Sequence, residues 1–134
     1  MKINNKKLGN SFESELCNIL GANGFWAYNA VNKASGQPAD IMAAKNNIPY
    51  LIDCKVCSDD SFPLSRIEEN QYNSMMKFDY CGCYESYFAL KFSDGEIYMM
   101  PSNVLFMALN NGMKRMLKSQ IKASGYKLEK WVER

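Results

Sequence analysis

The stretch from Gly36 to Val56 constrains this chain more than any other. Gly36-Gln37-Pro38-Ala39-Asp40 reads as a turn that opens a short strand, Ile41-Met42-Ala43-Ala44. Asn46-Asn47 with Pro49 then reverses the chain, and Tyr50-Leu51-Ile52-Asp53-Cys54-Lys55-Val56 reads as a central strand. Side chains two apart on a strand share a face, so Asp53 and Lys55 project together. Antiparallel pairing across the reversal brings Asp40 beside them. Two carboxylates and an ammonium at one point suit Mg²⁺ held against a phosphate. The chemistry to expect is metal-dependent hydrolysis of a phosphodiester.

At 134 residues the chain is expected to form a single domain, residues 1–134, with a real core. No apolar run approaches the roughly 20 residues of a membrane span. Five cysteines, an odd number with no apolar leader behind the charged start, suggest free thiols and a reducing, cytoplasmic compartment. The net charge of +2 says little about a partner, but its distribution says more. Lys2, Lys6 and Lys7 stand without an acid near the start, and residues 111–134 carry seven basic residues against two acidic ones. Basic ends around a neutral middle suit a protein that grips phosphates, although a solvated lysine-rich helix face explains the second segment equally well. Histidine is absent, which excludes Ser-His-Asp and Cys-His catalysis, histidine-metal nucleases and HExxH zinc hydrolases.

Elsewhere the spacing predicts a first helix with Asn10 as N-cap, Glu13 at the third position and an apolar stripe of Phe12, Leu16, Ile19 and Leu20. Phe25-Trp26-Ala27-Tyr28 is a first strand, followed by a polar loop from Asn32 to Gln37. Ser65-Arg66-Ile67-Glu68 reads as a second capping box, opening a helix with Ile67, Gln71, Met75 and Phe78 on one stripe. Residues 87–100 form a hairpin turning at Asp94-Gly95, and Val104 to Leu109 form a last helix stopped by Asn110-Asn111-Gly112. The predicted order is α-β-β-β-α-β-β-α: an α/β fold with a mixed sheet and helices packed on it.

Each candidate residue has a plainer explanation beside the catalytic one. Asp53 interrupts an apolar strand, where a carboxylate is costly without a cation, yet an edge-strand acid could face water. Asp40 could be a turn residue, and Lys55 a salt-bridge partner rather than a group that acts on the attacking water. A capping box accounts for Glu13 without catalysis. Gln71 could orient a site group or bond locally to backbone. Cys54, Cys57, Cys81 and Cys83 could be imagined as a zinc site, but residues 54 and 57 would point to opposite faces of a strand, so buried thiols are the better reading. Tyr72, Tyr80 and Tyr84 could stack on bases, with nothing to mark them out. Lys33, Lys45 and Arg66, near the proposed site, are the better candidates for phosphate contacts.

These residues resemble the PD-(D/E)xK nuclease superfamily, Pro38-Ala39-Asp40 standing for its PD element and Asp53-Cys54-Lys55 for its (D/E)xK. The nearer likeness is to Holliday junction resolvases. Gly9 to Leu16 is similar to the glutamate-bearing first helix of the archaeal enzymes, and Ala34-Ser35-Gly36 to their serine loop. Tyr50 to Lys55, Ser61-Phe62-Pro63-Leu64 and Gln71 are similar to the RecU-type resolvases of Gram-positive bacteria and their phages. The resemblance implies a restriction-endonuclease-like mixed central sheet flanked by helices. It also implies Asp40, Asp53 and Glu13 as ligands of Mg²⁺ or Mn²⁺, Lys55 acting on the water, and Gln71 supporting the site. Lys33, Ser35, Lys45 and Arg66 would contact DNA, and a homodimer would cut a four-way junction symmetrically in recombination and repair. The alternatives are a relative acting on duplex, flaps or ends, or a non-catalytic DNA-binding module of the same fold. Two features depart from the pattern: the long RecU stalk is missing, and Asp53 replaces the usual glutamate, one methylene shorter.

Overall fold

The structure, a computed structural model, describes residues 5–30 and 37–134. Its first helix, α1 (Asn5–Ala22), starts well before the expected Asn10 cap. Lys6, Lys7 and Leu8 are good helix formers, and extending an existing helix adds a hydrogen bond per residue, so elongation overrides the local cap signal. Glu13 therefore sits inside the helix, and the capping box is not its explanation. The helix ends in a Schellman motif. Phe25 N–H bonds back to Leu20 and Gly24 N–H to Gly21, with Gly24 in the left-handed region at φ 86°.

Three antiparallel strands follow, β1 (Trp26–Asn29), β2 (Ile41–Lys45) and β3 (Ile48–Cys57). The β2–β3 reversal is a two-residue turn with Asn46 and Asn47 both at positive φ (53° and 67°), a conformation asparagine tolerates better than most residues. The chain then makes β4 (Ser61–Pro63), a 3₁₀ turn at Leu64–Arg66, and α2 (Glu69–Tyr80). The expected helix start at Ser65 is thus displaced: Ile67 is extended (φ −74°, ψ 115°) and breaks the helix, which begins again with Glu68 at the cap. Next come β5 (Ser86–Phe92), β6 (Ile97–Pro101) and α3 (Ser102–Asn110), as the sequence predicts. The remaining elements are β7 (Arg115–Leu117), α4 (Lys118–Ser124), β8 (Tyr126–Lys127) and α5 (Leu128–Trp131).

The main sheet has the order β1-β2-β3-β5-β6-β8. Only β3 and β5 pair in parallel, with α2 as their crossover; every other pair in it is antiparallel. A second ribbon joins β4 to β7. Alternation along β3 sends Ile52 and Cys54 into a core with Phe12, Leu16 and Leu20 of α1, on one face. Cys57 joins Met75, Phe88, Leu105 and Phe106 on the other, so the two thiols do point to opposite faces.

The C-terminal segment, read from the sequence only as a basic stretch, closes the first core. Trp131 is 1% exposed, stacks on Phe25 at 5.4 Å and meets Tyr50 and Tyr87 edge-on at 5.3 and 5.1 Å. Among the described residues, no helix is long and apolar enough to cross a membrane.

Candidate active site

Asp40 precedes β2, where its carbonyl accepts a hydrogen bond from Ala30 N–H at 2.9 Å. Because Ile41 pairs with Ile52, extending the register by one residue sets Asp40 opposite Asp53. There the ladder changes character. The side chain of Asp40 takes over as acceptor, its Oδ2 receiving the N–H of Cys54 at 2.9 Å. A backbone donor on β3 thus fixes a carboxylate on β2, and the sequence carries no signal for it.

Asp53 is fully buried. Its Oδ1 accepts a 2.8 Å hydrogen bond from Gln71 Nε2 of α2. Lys55 Nζ lies 3.2 Å from Oδ2, an ion contact whose geometry falls short of a hydrogen bond, so Oδ2 accepts none. Gln71 is itself held by its other end, since Oε1 accepts the backbone N–H of Glu68 at 3.1 Å. Local backbone bonding and site support, which the sequence offers as alternatives for Gln71, are therefore both made by one amide. Burial first, and the Asp40 charge second, push the Asp53 carboxyl well above the ordinary range, with Lys55 pulling the other way.

Glu13 reaches this region from the opposite face. It is buried on α1, whose neighbouring residues Phe12 and Leu16 pack against Ile52 and Cys54. Burial, then the charges of Asp40, Asp53 and Glu13, hold the Cys54 thiol far above its usual value, so Glu13 lies within electrostatic reach of the strand between the two aspartates and the helix. Asp40, Asp53, Lys55 and Gln71 form the tight cluster, and Glu13 stands behind it.

The fit to a divalent cation was judged from these contacts. Among the described residues, no group of three or more Cys, Asp or Glu is already gathered around one point. What is gathered is a pair of carboxylates, one with an orphaned buried oxygen, and oxygen donors of this kind suit a hard ion such as Mg²⁺, which needs only one or two of them. The residues fit such an ion. Zinc on thiolates fits less well: all five cysteines are free, and Cys54 and Cys57 serve different cores.

The DNA-contact candidates divide. Lys45 lies at the far end of β2 from Asp40, where its ammonium donates to the carbonyls of Asn23 (2.8 Å) and Val132 (3.2 Å) and sits 4.8 Å from the Phe25 ring centre. It closes the fold rather than facing the site, which corrects the sequence reading. Arg66 donates to Val56 O at 2.7 Å, just past Lys55 on β3, and is half-buried there. Lys33 and Ser35 lie outside the described residues. Tyr72 packs on Phe106 at 4.5 Å, while Tyr80 and Tyr84 are exposed. A cavity of about 450 Å³ lined by Asp60, Glu96, Lys118 and Lys122 shares no residue with the carboxylate cluster.

A carboxylate at the mouth of one strand, facing an Asp-x-Lys on the next beneath a crossover helix, defines a nuclease of the PD-(D/E)xK type. The comparisons narrow it. Residues 4–134 match the profile of the archaeal Holliday junction resolvase (Hjc) family, and the chain belongs to that family. Among solved structures it is similar to Hjc of Archaeoglobus fulgidus, a Holliday junction resolvase from an archaeal hyperthermophile. That match has a TM-score of 0.69 and 18% identity, over 90% of this chain and 94% of that one, a likeness of fold. Comparison with curated proteins gives no match.

Proposed function

We propose that this protein is a Mg²⁺- or Mn²⁺-dependent endonuclease that resolves four-way DNA junctions. The observation that carries the reading is Asp53 Oδ2, buried without a hydrogen-bond donor between Lys55 and a second carboxylate. An orphaned, like-charged acceptor of this kind is costly in the folded protein unless a cation comes to it.

Asp40 and Asp53 would hold the ion, with Glu13 completing the set from the α1 side. When bound, the ion would neutralise the phosphate and lower the cost of activating water. The rest falls to the chain's own groups. Lys55, whose side chain is 12% exposed while Asp53 is buried, presents an ammonium at the opening of the site. There it offsets charge growing on the scissile phosphate and orients the attacking water. Gln71 and the Cys54 N–H act through the two aspartates, fixing each carboxylate on one oxygen so the other stays directed. Arg66, beside the end of β3, is placed to contact the DNA backbone. The protein acts as a homodimer, because symmetric cutting of a four-way junction needs two sites related by a twofold axis.

Incubation of the purified protein with a labelled four-way junction and Mg²⁺ tests the reading, with duplex, flap and single-stranded DNA in parallel. Paired, symmetric nicks in the junction are expected, lost in Asp40→Ala and Lys55→Ala. Equal cleavage of all substrates, or cleavage surviving both substitutions, would refute it.

A further inference from the structure

Trp26 and Tyr28 stand on the edge strand β1 and are 62% and 49% exposed, a large apolar display for two neighbouring side chains. Their rings are stacked, 10° from parallel with centroids 6.4 Å apart. The register places them. Trp26 pairs with Ala44 and Ala44 with Pro49; Tyr28 pairs with Met42 and Met42 with Leu51. Directly paired residues share a face, and on β3 residues 49, 51, 53 and 55 alternate onto one side. The aromatic pair therefore lies on the same sheet face as Asp53 and Lys55, away from α1. Two residues along and two strands across put Tyr28 roughly 12 Å from Asp53, a span of about three or four stacked nucleotides.

We infer that Trp26 and Tyr28 form a stacking platform for an unpaired nucleobase of the DNA whose phosphate enters the carboxylate site. The inference rests on the nuclease reading above and adds to it a means of selecting substrate. A flat aromatic surface accepts any base, but only one that has left its own stack. Intact duplex offers none, whereas the crossover of a four-way junction can release bases at small cost. The platform thus favours branched DNA without reading sequence.

The chain has two tryptophans, and Trp131 is buried at 1% exposure, so changes in emission on binding report Trp26. Titration with a four-way junction carrying 2-aminopurine at the crossover is expected to quench tryptophan emission and change the probe's fluorescence together. Trp26→Ala and Tyr28→Ala should each weaken junction binding by roughly ten-fold or more, with Trp26→Phe restoring it. Unchanged emission on junction binding, or wild-type affinity in Trp26→Ala, would overturn the platform. So would sedimentation showing that Trp26→Ala merely splits a dimer, since the occupant would then be a second copy. Wild-type protein that cleaves junctions while failing these tests sinks the platform alone. Wild-type protein that cleaves no junction sinks the nuclease reading first.

Discussion

Gln71 grips Asp53 with one end of its amide and the backbone of Glu68 with the other, at 2.8 and 3.1 Å. The side chain is a strut between the start of α2 and the centre of the sheet. Removing it frees the carboxylate to rotate and leaves its Oδ1 without a donor. Gln71→Ala should therefore lower cleavage or metal affinity by about 10- to 100-fold, the usual cost of losing a group that orients a ligand. The check is junction cleavage rate against Mg²⁺ concentration. A curve superimposable on wild type would show the strut to be dispensable.

Asp53→Asn should abolish cleavage while leaving the metal-free protein as stable as wild type or more so. The sign follows from the raised carboxyl of Asp53. Its folded form binds a proton more tightly than the unfolded chain, so that contribution to stability falls as pH rises from the ordinary carboxylate value through the raised one. Asparagine cannot titrate, and in chelator the variant's advantage should grow with pH. Mg²⁺ should raise the melting temperature of wild type and not of the variant. Thermal melts with and without chelator at several pH values measure both effects.

Lys45→Ala should cost stability and leave DNA affinity unchanged. Its ammonium joins two carbonyls and lies over Phe25 at the opposite end of β2 from Asp40. Loss of these contacts is worth about 1–3 kcal/mol. Urea unfolding and junction binding, measured on the same preparation, separate the two outcomes. A salt-dependent drop in affinity at unchanged stability would return Lys45 to the DNA surface.

Cys57 should resist labelling in the native protein at pH 8, whereas exposed Cys81 reacts at once. Burial raises the Cys57 thiol from 9.0 to about 11, against the pull of Arg66. A raised folded value means stability that is present in full below pH 9 and lost as pH climbs through about 11. Mass spectrometry after timed alkylation distinguishes the sites.

Asp40, Asp53 and Lys55 were legible because two rules of strand geometry, alternation and hairpin register, suffice to bring them together. Glu13 was legible as a residue type but its context was not: the cap signal at Asn10 is local, while the helix start was decided by the residues before it. For Gln71 the two readings did not compete, since an amide has two ends. Lys45 misled because closeness in sequence to a motif is not closeness in space when a strand runs away from the site. The C-terminal elements run from two to seven residues, too short for any period to declare itself. There only the lone Trp131 among lysines hinted that the segment was structural.

The pair of asparagines at the β2–β3 turn has a bearing on chemistry it never touches. Counting from Ile48, Asp53 lies about 17 Å along the strand from that bend. Yet the bend sets the phase of everything downstream, because β3 alternates between catalytic and oily side chains one residue at a time. Lengthening the bend by a single residue would slide the strand half a pleat, turning Ile52 and Cys54 toward DNA and sealing Asp53 and Lys55 beneath α1. The spacing between these asparagines and the Asp-x-Lys is therefore as much a part of the active site as the charges themselves.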